Sequence, residues 1–275
     1  MSAPGTLAGI GVGPGDPELM TLKGLRLLKG AAVVAYPCKS ADGGVAKRTV
    51  EDFLTPEQTL LPMVYPLTAD GADRADYEVR LARFYDETAE ALAAHLVAGR
   101  DVAVLCEGDP FLYGSFMYWH ARLKDRFPVV TVPGVSSVVA GPVSAARPLT
   151  VRDDALAVLP GTLSEDDLAV RLRGADAAVI LKLGRTWPKV RRALDRAGVL
   201  DRALYVERAS HASESVMPAA ELDVARPPYF SMVVGPSARP VDVAQPETNA
   251  APPKGAPTLT VLGLGPGAAD WLTPQ

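Results

Sequence analysis

The stretch Gly11-Val-Gly-Pro-Gly-Asp-Pro-Glu-Leu-Met-Thr21, a glycine-rich turn behind a short apolar run, recurs near the end of the chain as Gly263-Leu-Gly-Pro-Gly-Ala-Ala-Asp-Trp-Leu-Thr273. Identities fall at Gly11/Gly263, Gly13/Gly265, Pro14/Pro266, Gly15/Gly267 and Thr21/Thr273, and Ile10, Val12, Leu19 and Met20 are exchanged for other apolar residues. Glycines this dense suit a place where backbone must turn tightly and approach something closely. The second copy reads as the first strand and turn of another, related domain, so the chain divides into one complete unit, a linker and a stub.

Composition agrees with that division. With 275 residues and 48% apolar content, the chain can bury one large core or two lobes of roughly 100–150 residues each. The expected boundaries are a first lobe at 1–134, a second at 135–238, a linker at 239–257 and the stub at 258–275. The linker carries Pro240, Pro246, Pro252, Pro253 and Pro257 with almost no large apolar side chain, the composition of an extended, solvated segment. A formal charge of -4 argues against a nucleic-acid partner held by bulk charge. No apolar run approaches the roughly 20 residues that span a bilayer, and no charged-then-apolar signal pattern opens the chain, so a cytoplasmic protein without membrane partners is expected. Cys38 and Cys106 each follow an apolar run and read as buried, unpaired thiols. Nothing has metal-ligand spacing, and His95, His120 and His211 are scattered.

Short apolar runs alternate with helical patterns through the first half. Leu7 to Val12, Ala31 to Tyr36, Asp101 to Cys106 and Val129 to Val132 read as strands. Thr21 to Lys29 reads as a helix with Thr21 as N-cap, Tyr77 to Ala98 as a long helix stopped by Gly99, and Gly114 to Arg126 as a third. Such alternation implies a mainly parallel sheet covered on both faces, with ligands at the carboxyl ends of its strands. The second half repeats it less regularly, with strands at Leu156 to Leu159, Ala177 to Leu183, Ala203 to Glu207 and Tyr229 to Val234, and helices at Leu168 to Arg173 and Pro188 to Ala197. The fold class is therefore α/β: two α/β lobes, the first with a mainly parallel sheet, and a ligand cleft between them.

Three strand ends of the first lobe carry unusual turns: Gly13-Pro-Gly-Asp16, Glu107-Gly-Asp-Pro110 and Pro133-Gly-Val-Ser-Ser137. One such turn would be a tight loop or helix cap; three at successive strand ends of one lobe point to a cavity lined by free amides and carbonyls. A dinucleotide site does not fit, because Asp16 stands where the third glycine belongs and no acid ends the next strand. A phosphate loop lacks its Gly-Lys-Ser/Thr ending.

These residues resemble the tetrapyrrole (corrin/porphyrin) methyltransferases that use S-adenosylmethionine. The resemblance covers roughly Leu7 to Gly235 and rests on the opening Gly-Val-Gly-Pro-Gly-Asp-Pro-Glu-Leu, the Glu-Gly-Asp-Pro turn, Val132-Pro-Gly-Val135, Lys182-Leu-Gly184, Glu207-Arg-Ala-Ser210 and Tyr229 to Gly235. Within the family, Val33-Val-Ala-Tyr-Pro37, Pro62-Met-Val-Tyr-Pro66 and Glu107 to Tyr118 are most similar to the branch that methylates precorrin-2 at C20 in cobalamin biosynthesis. The stub resembles the start of the C17-methylating domain fused behind that branch in some bacteria. The resemblance implies the tetrapyrrole methylase fold, the first lobe holding the substrate trough and both lobes the cofactor. S-adenosylmethionine contacts would fall at Pro14, at Glu107, Gly108, Asp109 and Leu112, at Ser136 and Ser137, and near Leu183 and Ala209, with no metal. Family members often carry methionine where Leu183 stands and glycine where Ala209 stands. A homodimer is implied, acting on a tetrapyrrole.

A sulfonium methyl is already activated and a meso carbon of a reduced tetrapyrrole is electron-rich, so the protein has mainly to aim, and no catalytic triad is expected. Asp109 is the candidate catalytic residue, for an electrostatic or proton-handling role; as a plain residue of its turn it would cap or shape the loop before Gly114. Lys39, Lys47, Arg48, Arg147, Lys182 and Arg185 stand in or beside strand-end loops, where they could pair substrate carboxylates or lie solvated. Metal-free and cobalt-loaded substrates remain open alternatives. So do a protein or RNA methyltransferase of the same fold, which the acidic balance disfavours, and a non-catalytic S-adenosylmethionine-binding module.

Overall fold

The computed structural model describes residues 3–40, 43–66, 74–241 and 261. The stub at 258–275 and most of the proline-rich linker thus lie outside the described residues. The chain forms two compact units, one from the N-terminal residues up to Ala140 together with Ser210–Ser213, the other from Gly141–Ala209 and the segment that begins at Glu214.

The first unit is a wholly parallel five-stranded sheet in the order β3-β2-β4-β1-β5, built from β1 (Leu7–Gly11), β2 (Val33–Cys38), β3 (Thr59–Val64), β4 (Val102–Cys106) and β5 (Val129–Val132). Helices α1 (Leu22–Gly30), α2 (Val45–Thr49), α3 (Arg74–Val97) and α4 (Phe116–Leu123) cover it. Strand alternation sorts its buried side chains into two layers. Ala8, Ile10, Val34, Tyr36, Ala103 and Leu105 pack with Leu28 of α1 and Ala46 of α2. Leu7, Val33, Ala35, Val102 and Val104 pack with Leu92 and Leu96 of α3 and with Phe116, Trp119 and Leu123 of α4. Burial on both faces is what makes these strands read as continuous apolar runs. Gly9 faces the α4 side, where a Cβ would enter the ring of Phe116; the glycine leaves that ring its room.

The expected helix starts and stops have visible causes. Thr21 caps α1, its Oγ1 accepting from Gly24 N–H at 3.1 Å, and α3 ends at Val97, two residues before Gly99, which takes φ +74°. Both cysteines are buried and unpaired, and burial pushes both thiols above the usual thiol range, which keeps them protonated and unreactive.

The second unit holds α6 (Glu165–Arg173), α7 (Trp187–Arg196) and a mixed sheet, and α5 (Ser137–Ser144) carries the chain into it. Its sheet runs β6-β7-β10-β8-β9, from β6 (Leu156–Pro160), β7 (Ala177–Leu181), β8 (Leu204–Glu207), β9 (Ser215–Pro218) and β10 (Ser231–Gly235). Only the β6/β7 pair is parallel; β10 runs antiparallel to both β7 and β8, and β9 antiparallel to β8. Leu168 and Leu172 of α6 and Trp187, Val190 and Leu194 of α7 close one face over Ile180, Tyr205 and Val233. Strands β3 and β9 and helices α2 and α5 were not anticipated from the sequence.

Candidate active site

In the first unit the three anticipated turns converge. The register sets Gly11 of β1 beside Cys106 of β4, and Ile10 beside Val132 of β5. Beyond the sheet Val12 N–H donates to the Cys106 carbonyl at 2.9 Å and Gly108 N–H to the Gly13 carbonyl at 2.8 Å, closing an antiparallel bridge between Gly13 and Gly108. The glycines then divide by role. A Cβ on Gly11 or on Gly134 would collide with the backbone of the neighbouring turns, so these two let three strand ends pack backbone to backbone. Gly108 has φ +64°, and a Cβ there would meet nothing nearer than Ser136 Cα at 3.8 Å. It leaves open a space lined by backbone.

Asp109 ties two of the turns together. Its Oδ1 accepts from the Phe111 and Leu112 amides at 2.9 and 3.0 Å, and its Oδ2 accepts from the Gly134 amide at 3.2 Å. The carboxylate that the sequence nominates for proton handling is thus occupied by three backbone donors. Past it, Phe111, Leu112 and Tyr113 are all exposed, and Tyr113 takes φ +57°, a backbone conformation that non-glycine residues adopt at some cost.

The turn after β1 is held from a distant part of the chain. Asp16 Oδ1 accepts from Glu18 N–H at 2.8 Å, capping the short turn Pro17–Leu19, and Asp16 N–H donates to Ser210 Oγ at 3.1 Å. A Cβ on Gly15 would enter the ring of His211. Ser210 and His211 therefore pack on the Gly13–Asp16 turn, and nothing in their sequence context signals it. Pro14 is partly exposed on that turn. On the third turn Ser136 Oγ accepts from Val138 N–H at 3.2 Å, and Ser137 opens α5.

Glu107 differs from Asp109. Its side chain is open to solvent, yet it stands among enough protein that desolvation raises its carboxyl pKa, against the opposing effects of a hydrogen bond from the Ala46 amide of α2 and of the Arg48 and Lys39 charges. Lys47 is turned elsewhere, to Glu51 at 2.8 Å.

Leu183 and Ala209 belong to the second unit and are buried, at 0% and 4% exposure. Leu183 is part of that unit's core. Their neighbours Lys182 and Arg208 take φ +60° and +49°, strain that sequence inspection does not reveal. Arg147 and Arg185 also belong to the second unit. Among the described residues no group of three or more His, Cys, Asp or Glu is placed to hold a metal ion, and no helix is long and apolar enough to cross a membrane.

The chain belongs to the tetrapyrrole (corrin/porphyrin) methylase family, whose model matches residues 6–223. It is 46% identical over 276 residues to the cobalamin biosynthesis protein CobIJ of Mycobacterium tuberculosis, a match that takes in 100% of this chain and 52% of the relative. The chain thus spans about half the length of that curated relative. It is also 46% identical over 233 residues to a precorrin-2 C(20)-methyltransferase of Sinorhizobium, covering 84% of this chain and 95% of that protein. A crystal structure of uroporphyrin-III C-methyltransferase from Thermus thermophilus, complexed with S-adenosyl homocysteine, superposes with a TM-score of 0.57 at 29% identity, over 84% of this chain and 91% of its own. The residues present fit such a ligand at one testable point, the open backbone-lined space beside Gly108.

Proposed function

We propose that this chain transfers a methyl group from S-adenosylmethionine to C20 of precorrin-2, giving precorrin-3A in corrin ring biosynthesis. The observation that carries the reading is the meeting of the β1, β4 and β5 turns around Gly108, in a chain that shares 46% identity with a precorrin-2 C(20)-methyltransferase across 95% of that protein.

S-adenosylmethionine, when bound, supplies an already activated methyl on a sulfonium. The chain's own residues have to hold donor and acceptor in line, which can lower the barrier by about 7–11 kcal/mol without a nucleophilic side chain. Pro14, Glu107, Gly108, Asp109, Leu112, Ser136 and Ser137 are the first-unit residues assigned to the cofactor; Leu183 and Ala209 are the two assignments that fall in the second unit, where both are buried. Asp109 keeps the β4 and β5 turns in register through its three amide contacts and places a negative charge beside the reacting centre, where positive charge develops on the macrocycle. Lys39, Arg48, Arg147, Lys182 and Arg185 are the cations assigned to the acetate and propionate arms of the substrate. The half-length match to CobIJ supports reading 258–275 as the opening of a second, C17-directed methyltransferase domain of a longer protein. A cytoplasmic homodimer belongs to the same reading, and analytical ultracentrifugation of the full chain tests the dimer.

Incubation of the full chain with S-adenosylmethionine and either metal-free or cobalt-loaded precorrin-2, followed by mass spectrometry, tests the reading. Gain of one methyl on either substrate supports it and names the form used. Binding of S-adenosylmethionine with no methylated product from either would make the chain a binding module.

A further inference from the structure

Methylating C20 leaves a proton to be disposed of. The meso carbon carries one hydrogen; the ring's π electrons form the new C20–CH3 bond as the S–CH3 bond breaks and its electron pair stays on sulfur as a thioether. C20 then bears both a methyl and a hydrogen, and the macrocycle is cationic. Conjugation returns when the C20–H bond breaks, its electron pair goes back to the ring and a base takes the proton.

Asp109 is poorly placed to be that base, because both of its oxygens already accept backbone hydrogen bonds that would have to be weakened for it to take a proton. Cys106 is buried. Glu107 adjoins Gly108 at the same strand end, is open to solvent, and has the Ala46 amide and Arg48 of α2 and Lys39 after β2 as the groups acting on its carboxyl. We infer that Glu107 accepts the C20 proton after methyl transfer and returns it to solvent, an assignment that rests on the methyl-transfer reading above. Desolvation that raises its carboxyl pKa makes it a stronger base than an ordinary glutamate, while the two nearby cations keep the charged form accessible.

The test is single-turnover formation of the deprotonated, C20-methylated product by the full chain over about pH 5 to 9, with precorrin-2 and with precorrin-2 deuterated at C20, in wild type, Glu107→Gln, Glu107→Asp and Asp109→Asn. For wild type the rate rises with pH through a limb above the usual glutamate value of about 4.3. At saturating S-adenosylmethionine Glu107→Gln should lose about 100-fold or more in rate, lose the acid limb and show a primary isotope effect from the C20 deuteron. Glu107→Asp should keep the limb at reduced rate, and Asp109→Asn should keep it too. A Glu107→Gln protein with the wild-type rate and limb overturns the assignment. A deficit in Glu107→Gln that saturating S-adenosylmethionine abolishes also overturns it, making Glu107 a cofactor contact. If wild type methylates neither precorrin-2 nor its cobalt complex, the functional reading itself falls, and this assignment with it.

Discussion

Glycines at one site do different work, and substitution separates them. At Gly108 the obstacle to a side chain is φ +64°, for which an alanine costs roughly 1–2 kcal/mol, and the space its Cβ would enter is open. Gly108→Ala should therefore fold with a modestly lowered melting temperature and bind S-adenosylmethionine at least about tenfold more weakly, since a cofactor held by backbone leaves little room for a methyl. Gly134→Ala, whose Cβ would strike the Gly108 carbonyl and the Gly11 backbone, should fail to fold stably. Calorimetry and thermal melting on matched samples check both, and unchanged affinity in folded Gly108→Ala would remove this turn from the cofactor site. Asp109→Asn loses the charge behind its three amide contacts, so it should melt lower, by about 1–3 kcal/mol, and transfer methyl about 10- to 100-fold more slowly. Glu107 is the opposite case. A carboxyl whose pKa is raised in the folded state adds stability at low pH and loses it as pH rises through the folded value. Glu107→Gln should consequently melt above wild type near pH 7, with the gap narrowing as pH falls; a gap that fails to narrow would contradict the raised pKa.

At the scale of the element, what sequence reveals depends on how local the cause is. Helix α1 is legible because Thr21 caps it within one turn; Thr21→Ala should cost about 0.5–2 kcal/mol, read from urea melts, and no change would discount the cap. Strands β1, β2 and β4 are legible because both their faces are buried. Strand β3 is not, since Pro62 interrupts its apolar run; the structure accepts that proline because β3 is an edge strand, where one ladder donor can be missing. Helix α2 has only five residues, and Pro142 lies inside α5, so neither shows a helical period. The site divides in the same way. Its three turns stand out through glycine, proline and aspartate, whereas the packing of His211 on Gly15, the neighbours of Glu107 and the positive φ of Tyr113, Lys182 and Arg208 come from residues far apart in sequence or from backbone strain that no residue type announces.

For the whole molecule, the proline-rich composition after Ala238 implies that methyl transfer does not need the tail, but the place to cut is set by structure. Arg239 pairs with Asp154 at 3.0 Å, and the Asp154 side chain is fully covered. A chain ending at Val241 should keep full turnover and melting temperature, whereas one ending at Ala238 should melt lower because Asp154 loses its cation. Loss of turnover in the Val241 chain would mean that the tail contributes to the catalytic unit. The account as a whole depends on where one methyl goes. With carbon-13-labelled S-adenosylmethionine and precorrin-2, in whichever metal form is accepted, NMR of the product should show a single labelled methyl at C20; label at any other carbon, or a bound cofactor and an unmodified tetrapyrrole, would contradict it.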